Sequence, residues 1–473
     1  MPRPNRDLLG RTSGVAVRER GAPEQAASGI VGRGGLTEAR LAAASICADL
    51  RAGVLLDVSF DSRAGKLDAR DRRWTRTLIY GMLRRRFRVD AALDACVSGG
   101  IGRLDADVLD VLRLGAYQLL FMNAVPPYAA IAQTVELSKV RYGIGASKLT
   151  NAVLRRVDRE RDQSGGEPLA GENGDQATSL ALEYSHPRWL VARWMERWPL
   201  DEVRSLLAAN NEEAPLVARP FNVVREQLEA IFEGAGLHVR ESPLVKDSLV
   251  FDGADASFTE LGAFQQGLFH VQDPASTLVA RYVSAPPGSV VADLCAAPGG
   301  KSAELSRTAS RVFASDVSAE RVARVRENIA RLDLSNVSAY VADARAPACG
   351  PVDVALVDVP CTGTGTFRRH PDARWRLKPT DLATLARRQD EILRAASEIV
   401  RPGGILVYAT CSLEPEENDQ RVDAFLIDHP GWHLEPPPAG VVPAEVLDAG
   451  RLRVLPHRHG VDGAFAARLK RTV

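Results

Sequence analysis

From about residue 286 onward the sequence alternates short β-branched runs with longer segments of helical period, and this alternation restricts the fold more than any other feature. The runs GSVVADLC, RVFASDV, VSAYVADA, VDVALVDVP and GILVYATC are predicted strands. KSAELSRTA, SAERVARVRENIARL and DLATLARRQDEILRAASEIV are the predicted helices between them. A strand that rejoins its sheet through a helix runs parallel to its predecessor, and the helices cover both faces. Residues 286–473 are therefore predicted to form a doubly wound, mostly parallel α/β domain of Rossmann-like type. Such sheets bind ligands at the carboxyl ends of their strands, so the residues closing each run are candidates for a site.

The rest of the chain has other rhythms. Residues 1–36 mix Arg, Gly, Pro and Ala without period and are predicted to be a disordered arm. Residues 37–162 carry helical period only. In LDADVLDVLRLGAYQLLF, for example, Leu104, Val108, Val111, Leu112 and Leu119 share one face, which predicts an all-helical domain. Residues 163–179 are too rich in Gly, Ser and acidic groups to bury a core and are predicted to be a flexible linker. Residues 180–285, opening on the Trp-bearing helix YSHPRWLVARWMERWP, are predicted to form a mixed α/β connecting subdomain.

Composition excludes more than it specifies. No apolar run approaches the roughly 18 residues of a membrane helix, and the amino-terminal stretch lacks the apolar core of a secretory signal, so a cytoplasmic protein is expected. The six cysteines form no C-x-x-C pair and are expected to be free thiols, with neither disulfides nor a metal site. A formal net charge of zero announces no nucleic-acid partner, although arginines cluster locally at RRRFR and at RRHPDARWRLK. A monomer is expected.

The first predicted strand runs into DLCAAPGGKS. A phosphate-binding loop needs glycine five positions before Gly300, where Cys295 stands, and the dinucleotide pattern G-x-G-x-x-G is absent as well. What remains is a strand ending at Asp293, a tight turn through Gly299 and Gly300, and a helix from Lys301. The second strand ends at Asp316, placed to accept from two ribose hydroxyls, and the third at Asp343, placed to accept from an adenine amino group. Carboxylates at successive strand ends, with no pyrophosphate cradle, point to S-adenosylmethionine, an adenosine cofactor that carries a positive sulfonium and no phosphate.

Strand four leads through Asp358 and Pro360 to Cys361, and strand five ends at Cys411. Two thiols at the carboxyl ends of neighbouring strands suit covalent catalysis on a pyrimidine. Carbon 5 of cytosine is a poor nucleophile, and addition of a thiolate to carbon 6 makes it an enamine-like one.

The stretches DLCAAPGGKS, ASDVS, VADA, DVPCTGTGTFRRHPDARWR, RPGG, YATCSLEPEEN and DGAFAARL closely resemble the RNA 5-methylcytosine methyltransferases, specifically the small-subunit ribosomal RNA methyltransferase B group, known as RsmB, Sun or Fmu. Upstream, SHPRWL and QDPAS fit the same group, and PPYAAIAQTVE with NAVLR resembles its NusB-type RNA-binding domain. The resemblance implies that Cys411 is the nucleophile and that Cys361 promotes product release. It implies that Asp358 contacts N3 and the amino group of cytosine, protonated if it donates to N3, a state that burial would favour. Cys295, Ala296, Ala297, Pro298, Gly299, Gly300, Lys301, Asp316, Asp343 and Asp358 would line the cofactor pocket, with Lys301 also positioning the base or its phosphate. Ribosomal RNA is the implied substrate, while tRNA with the same chemistry, or a non-catalytic RNA-binding scaffold, remains open. Arg368, Arg369 and Arg374, next to the PC motif, are expected to grip RNA phosphates at the mouth of the site. The chain departs from the group's pattern at CTGTGTF, where CSATGVI is common, and at DGAF, where DGFF is common.

Overall fold

The computed structural model describes residues 35–163, 175–252 and 258–472. The predicted arm as far as residue 34 and most of the predicted linker lie outside the described residues, whereas the arm's last residue, Leu36, is buried in the helical core. The linker's last part does not: Asp175 accepts a hydrogen bond from the Thr178 amide at 2.9 Å and caps the helix Gln176–Tyr184. A side-chain acceptor at the N-cap thus starts a helix four residues earlier than composition implies.

The described residues from Leu36 to Gln163 are helical around one apolar core that includes Ile46, Leu78, Val89, Leu112 and Leu154. Glu38–Arg51, Ala69–Arg84 and Ala106–Phe121 pack with the long helix Pro127–Gln163, which is interrupted at Gly143 (φ 86°). Only glycine adopts that left-handed backbone readily.

The connecting region contains two units. Three helices, Gln176–Tyr184, Arg188–Arg197 and Leu200–Ala209, bury Leu180, Leu190, Val191 and Trp194. Then a small antiparallel sheet forms from β1 (Val217–Pro220), β2 (Val239–Glu241), β3 (Leu249–Phe251) and β4 (Phe269–Val271), in the order β2-β3-β1-β4. The helix Arg225–Gly234 supplies Leu228 and Phe232 to its core. The next helix, Pro274–Val283, was expected in this subdomain. It packs instead, through Ala275, Leu278, Val279, Tyr282 and Val283, into the core of the large sheet.

That sheet comprises β5 (Val290–Asp293), β6 (Arg311–Asp316), β7 (Val337–Val341), β8 (Val352–Asp358), β9 (Val400–Thr410), β10 (Trp432–Leu434), β11 (Leu447–Asp448), β12 (Arg451–Val454) and β13 (Ala464–Arg471). The order is β11-β12-β13-β9-β8-β5-β6-β7, with β10 paired to β13. Strands β5 to β9 are parallel to their neighbours among themselves, and β10 to β13 add an antiparallel wing. Alternation along β8 explains the burial of both faces. Val354 and Leu356 enter the core under Pro274–Val283, while Ala355 and Val357 meet Ile392, Leu393 and Ala396 of the helix Pro379–Glu398. The carboxyl ends of β5, β6, β8 and β9 are left at one edge, where Asp293, Asp316, Asp358 and Cys411 lie.

Candidate active site

Asp293 is fully buried at the end of β5. Its Oδ2 accepts from Ser302 Oγ at 2.6 Å, while its Oδ1 has no protein partner. Burial pushes its pKa up to about 6. The following loop contains a cis Ala297–Pro298 bond and turns at Gly299 (φ +103°) into the helix Gly300–Ser306. The positive φ of Gly299 favours glycine, and a Cβ there would lie 3.3 Å from Val325 Cγ1, whereas one on Gly300 would lie 2.9 Å from Gln272 Nε2, the end of a side chain that would have to shift. Asp316, at the end of β6, is buried and accepts from the Ser318 amide at 3.0 Å and from Arg321 at 2.7 Å, both through Oδ1.

These groups suit an adenosine cofactor bearing an amine and a sulfonium. The orphaned Asp293 oxygen is a buried acceptor, and Asp316 is a second buried carboxylate at the neighbouring strand end, with Oδ2 not engaged by Ser318 or Arg321, a group to which hydroxyls can donate. Asp343 is the exception. Arg345 grips both its oxygens, at 2.6 Å for the closest contact, and holds its pKa down near 2. An adenine amino group would have to compete with that pair.

Lys301 Nζ lies 2.6 Å from Asp358 Oδ2. Burial disfavours the lysine charge, but Asp358, Asp293 and Cys411 outweigh burial and raise its pKa above the ordinary value. Asp358 is therefore ion-paired and about a quarter exposed, at 26%. Beside this pair, Cys361 Sγ and Cys411 Sγ are 3.2 Å apart, and all six cysteines are free thiols. Contact with Cys411 and burial together push the Cys361 thiol well above the usual range. Cys295 is also pushed up, mainly by burial, which leaves it a poor nucleophile.

The support under the two thiols was not anticipated from sequence. Glu417, fully buried, accepts from the Thr362 amide at 3.0 Å, from Thr362 Oγ1 and from Gln389 Nε2 at 2.9 Å. Gln389 also donates to the Pro360 carbonyl at 3.0 Å, and Tyr408 donates to the Glu417 carbonyl at 2.6 Å. Ser412 Oγ reaches Thr362 Oγ1 at 3.1 Å. In EPEEN the only available signal was a run of acids after a strand, which more commonly reads as a solvated loop.

Of the three arginines expected to hold phosphates, Arg368 and Arg374 are buried and Arg369, a quarter exposed, is committed to two carboxylates. Arg374 is 0% exposed and donates to the carbonyls of Ser185, Asn210 and Phe367 and to Asn211 Oδ1. Arg368, 3% exposed, donates to the Gly460 carbonyl, and Arg369 bridges Asp462 and Asp273 at 2.8 Å each. Apolar partners interleaved in the same segment explain this: Phe367 joins the core around Trp194, and Trp375 packs on the helical domain. Arg376, two residues beyond Arg374, is exposed, and it lines a cavity of about 370 Å³ with Cys361, Thr362, Leu377, Asp381 and Thr384.

A glycine turn feeding a short helix, strand-end carboxylates and a doubly wound sheet with an antiparallel wing define an S-adenosylmethionine-dependent methyltransferase. The family model of the 16S rRNA methyltransferases RsmB/F matches residues 282–470, that of the NusB family residues 37–159, and that of the RsmF/B-like ferredoxin-like domain residues 186–256. The chain belongs to the ribosomal RNA small subunit methyltransferase B family. It is 34% identical to the probable ribosomal RNA small subunit methyltransferase B of Synechocystis over 88% of this chain and 95% of that protein. It is 35% identical to the Vibrio cholerae ribosomal RNA small subunit methyltransferase B over 85% and 90%. Among solved structures, that of PH0851 superposes with a TM-score of 0.77 at 26% identity, covering 92% of this chain and 98% of that one. NSun6 from Pyrococcus horikoshii, solved with SFG, superposes at TM-score 0.53 and 22% identity over 61% and 98%, which is a likeness of fold. Among the described residues no cluster of His, Cys, Asp and Glu could hold a metal ion, and no helix is long and apolar enough to cross a membrane.

Proposed function

We propose that this methyltransferase acts on carbon 5 of a cytosine in 16S ribosomal RNA, through a covalent adduct between Cys411 and carbon 6 of the base. The observation that carries the reading is the 3.2 Å contact of two thiols at the ends of adjacent strands, beside the Lys301–Asp358 pair. Amine methylation needs no nucleophile from the protein, whereas activation of a ring carbon does. The cofactor supplies an electrophilic methyl group. Cys411 adds to carbon 6, and carbon 5 becomes the nucleophile. Once carbon 5 is methylated, its proton leaves with help from Cys361, the ring double bond re-forms and Cys411 departs as thiolate. Asp358 accepts from the exocyclic amine and Lys301 holds the oxygen side of the base, while the 370 Å³ cavity beside Cys361 has room for a nucleotide.

The order of steps is testable. Cys411→Ala forms no adduct and no product. Cys361→Ala methylates but does not release, which leaves a protein–RNA complex stable in denaturing electrophoresis and absent when Cys411 is also replaced. A trapped complex in Cys411→Ala instead would reverse the assignment. Bisulfite sequencing of ribosomal RNA from a strain lacking the protein identifies the base.

A further inference from the structure

Two thiols 3.2 Å apart pose a problem of identity, since either sulfur could ionise and only one can be the nucleophile. Their surroundings differ on the side away from the opening. Behind Cys361, the peptide groups on both sides of it are held: Gln389 Nε2 binds the Pro360 carbonyl at 3.0 Å, and Glu417 accepts the Thr362 amide at 3.0 Å. Gln389 also donates to Glu417, so one buried amide and one buried carboxylate clamp the Cys361 segment. Burial raises the Glu417 pKa above the ordinary carboxylate value, and the three donors that converge on the carboxylate oppose that rise and favour the charged form. On the other side of the pair stands the Lys301–Asp358 ion pair, and Cys411 is among the groups that favour the lysine's charge.

We propose that Glu417 assigns the two thiols their roles: its buried negative charge keeps a proton on Cys361 and leaves Cys411 as the sulfur that ionises. The inference rests on the covalent reading above and makes Glu417 a positioning residue for it. Of the pair's two protons, one leaves Cys411 for solvent. The other stays on Cys361, whose S–H then faces the Cys411 sulfur.

The remaining charges around Cys361 act in the same sense or are compensated. Asp358 adds negative charge on the β8 side and is neutralised by Lys301. Arg376 and Asp381 line the cavity, Arg376 pairing with Asp372 at 2.9 Å and Asp381 capping its helix. Tyr408 lies beneath, itself held far above the ordinary phenol range by burial, with Arg421 and Asp390 behind it paired at 2.6 Å.

The test reads each sulfur separately and needs neither RNA nor cofactor. The full-length protein is alkylated with iodoacetamide across a pH series, and modification of the Cys361 and Cys411 peptides is followed by mass spectrometry. Midpoints in pH are compared rather than rates, because access changes a rate without moving a midpoint. In the wild-type protein Cys411 titrates below Cys361. In Glu417→Gln, which keeps the shape and loses the charge, the Cys361 midpoint falls and its thiolate fraction at fixed pH rises about tenfold, as expected for removal of a close like charge. Glu417→Asp, which keeps the charge, restores the wild-type order. An unchanged Cys361 midpoint in Glu417→Gln overturns the proposal. So does a wild-type protein in which Cys361 titrates first, a result that stands even if the variant fails to fold. Failure of the covalent reading would show separately, as methylation by Cys411→Ala.

Discussion

Trp375 donates its indole N–H to the Leu83 carbonyl across 2.9 Å, joining residues 292 positions apart. Its ring meets Phe87 edge-on at 4.6 Å between centroids, and Arg84 donates to the Arg368 carbonyl at 2.9 Å. The helical domain is thus seated on the segment that follows the PC motif. Trp375→Ala is expected to cost about 3 kcal/mol at this junction, the lower end for truncating a packed aromatic. Calorimetry should then resolve a separate, earlier transition for the helical domain; a single unchanged transition would show that the junction contributes nothing.

Arg374→Ala distinguishes a buried brace from an RNA ligand. Removal of a fully buried guanidinium strips donors from three carbonyls and one side-chain amide and leaves a cavity. A stability loss of about 3–5 kcal/mol is expected in denaturant titrations. RNA affinity measured against salt concentration should keep its slope, because no phosphate contact is lost. A slope reduced by about one unit, with stability intact, would return Arg374 to the RNA.

Asp316→Ala should weaken S-adenosylmethionine binding by roughly tenfold to a hundredfold, since a hydrogen bond to a charged acceptor is worth about 1.5–3 kcal/mol. The variant also frees Arg321, which now pairs with Asp316. Isothermal calorimetry decides, and equal affinity in variant and wild type removes Asp316 from the site.

Asp293 makes stability depend on pH in a direction unusual for a carboxylate. Its pKa in the folded protein is about 6, above the roughly 3.9 of an unfolded aspartate, so between these values the native state binds more protons. Stability from this group is complete below about pH 4 and is lost as pH rises through about 6. His270, buried with its pKa lowered to about 4, acts oppositely, losing its contribution as pH falls through the same window. The Asp293 effect is therefore read as a signed difference, the wild-type melting temperature minus that of Asp293→Asn, which should fall steadily from about pH 4 to about pH 6.5. A difference that grows over that range would refute the assignment.

The elements visible in the sequence were those whose period and closing residues agree. The β-branched runs become β5 to β9, and the aspartates and Cys411 fall at strand ends because a parallel sheet places every such end on one edge. The antiparallel wing was not legible: AFAARLKR alternates small apolar with charged residues too weakly to distinguish strand from helix. The arginines of RRHPDARWR misled for a related reason. Sequence shows charge but not what faces it, and here backbone carbonyls and two aspartates, brought in from distant segments, surround the guanidinium groups. Glu417 was hidden in the same way, as one acid among three, of which the tertiary fold buries Glu414 against Trp194 and Glu417 against Thr362 and Gln389.

Strand β13 comes after every other strand in chain order, yet it lies within the sheet, holding β9 on one side and β12 on the other and pairing with β10 as well. Just before it, Gly463 donates to the Gly365 carbonyl at 2.7 Å, and Gly365 in turn donates to the carbonyl of Cys411 at 3.0 Å. A Cβ on Gly365 would lie 2.8 Å from that carbonyl oxygen, so the three segments meet backbone to backbone. Nucleotide chemistry in this protein therefore has an assembly order. The parallel strands can pair as they emerge, but the shelf under Cys411 waits for a segment synthesised some 50 residues later, and long-range closure of that kind is slow. On the covalent reading proposed above, the nascent chain thus has its parallel strands in hand before the segment that seats Cys411.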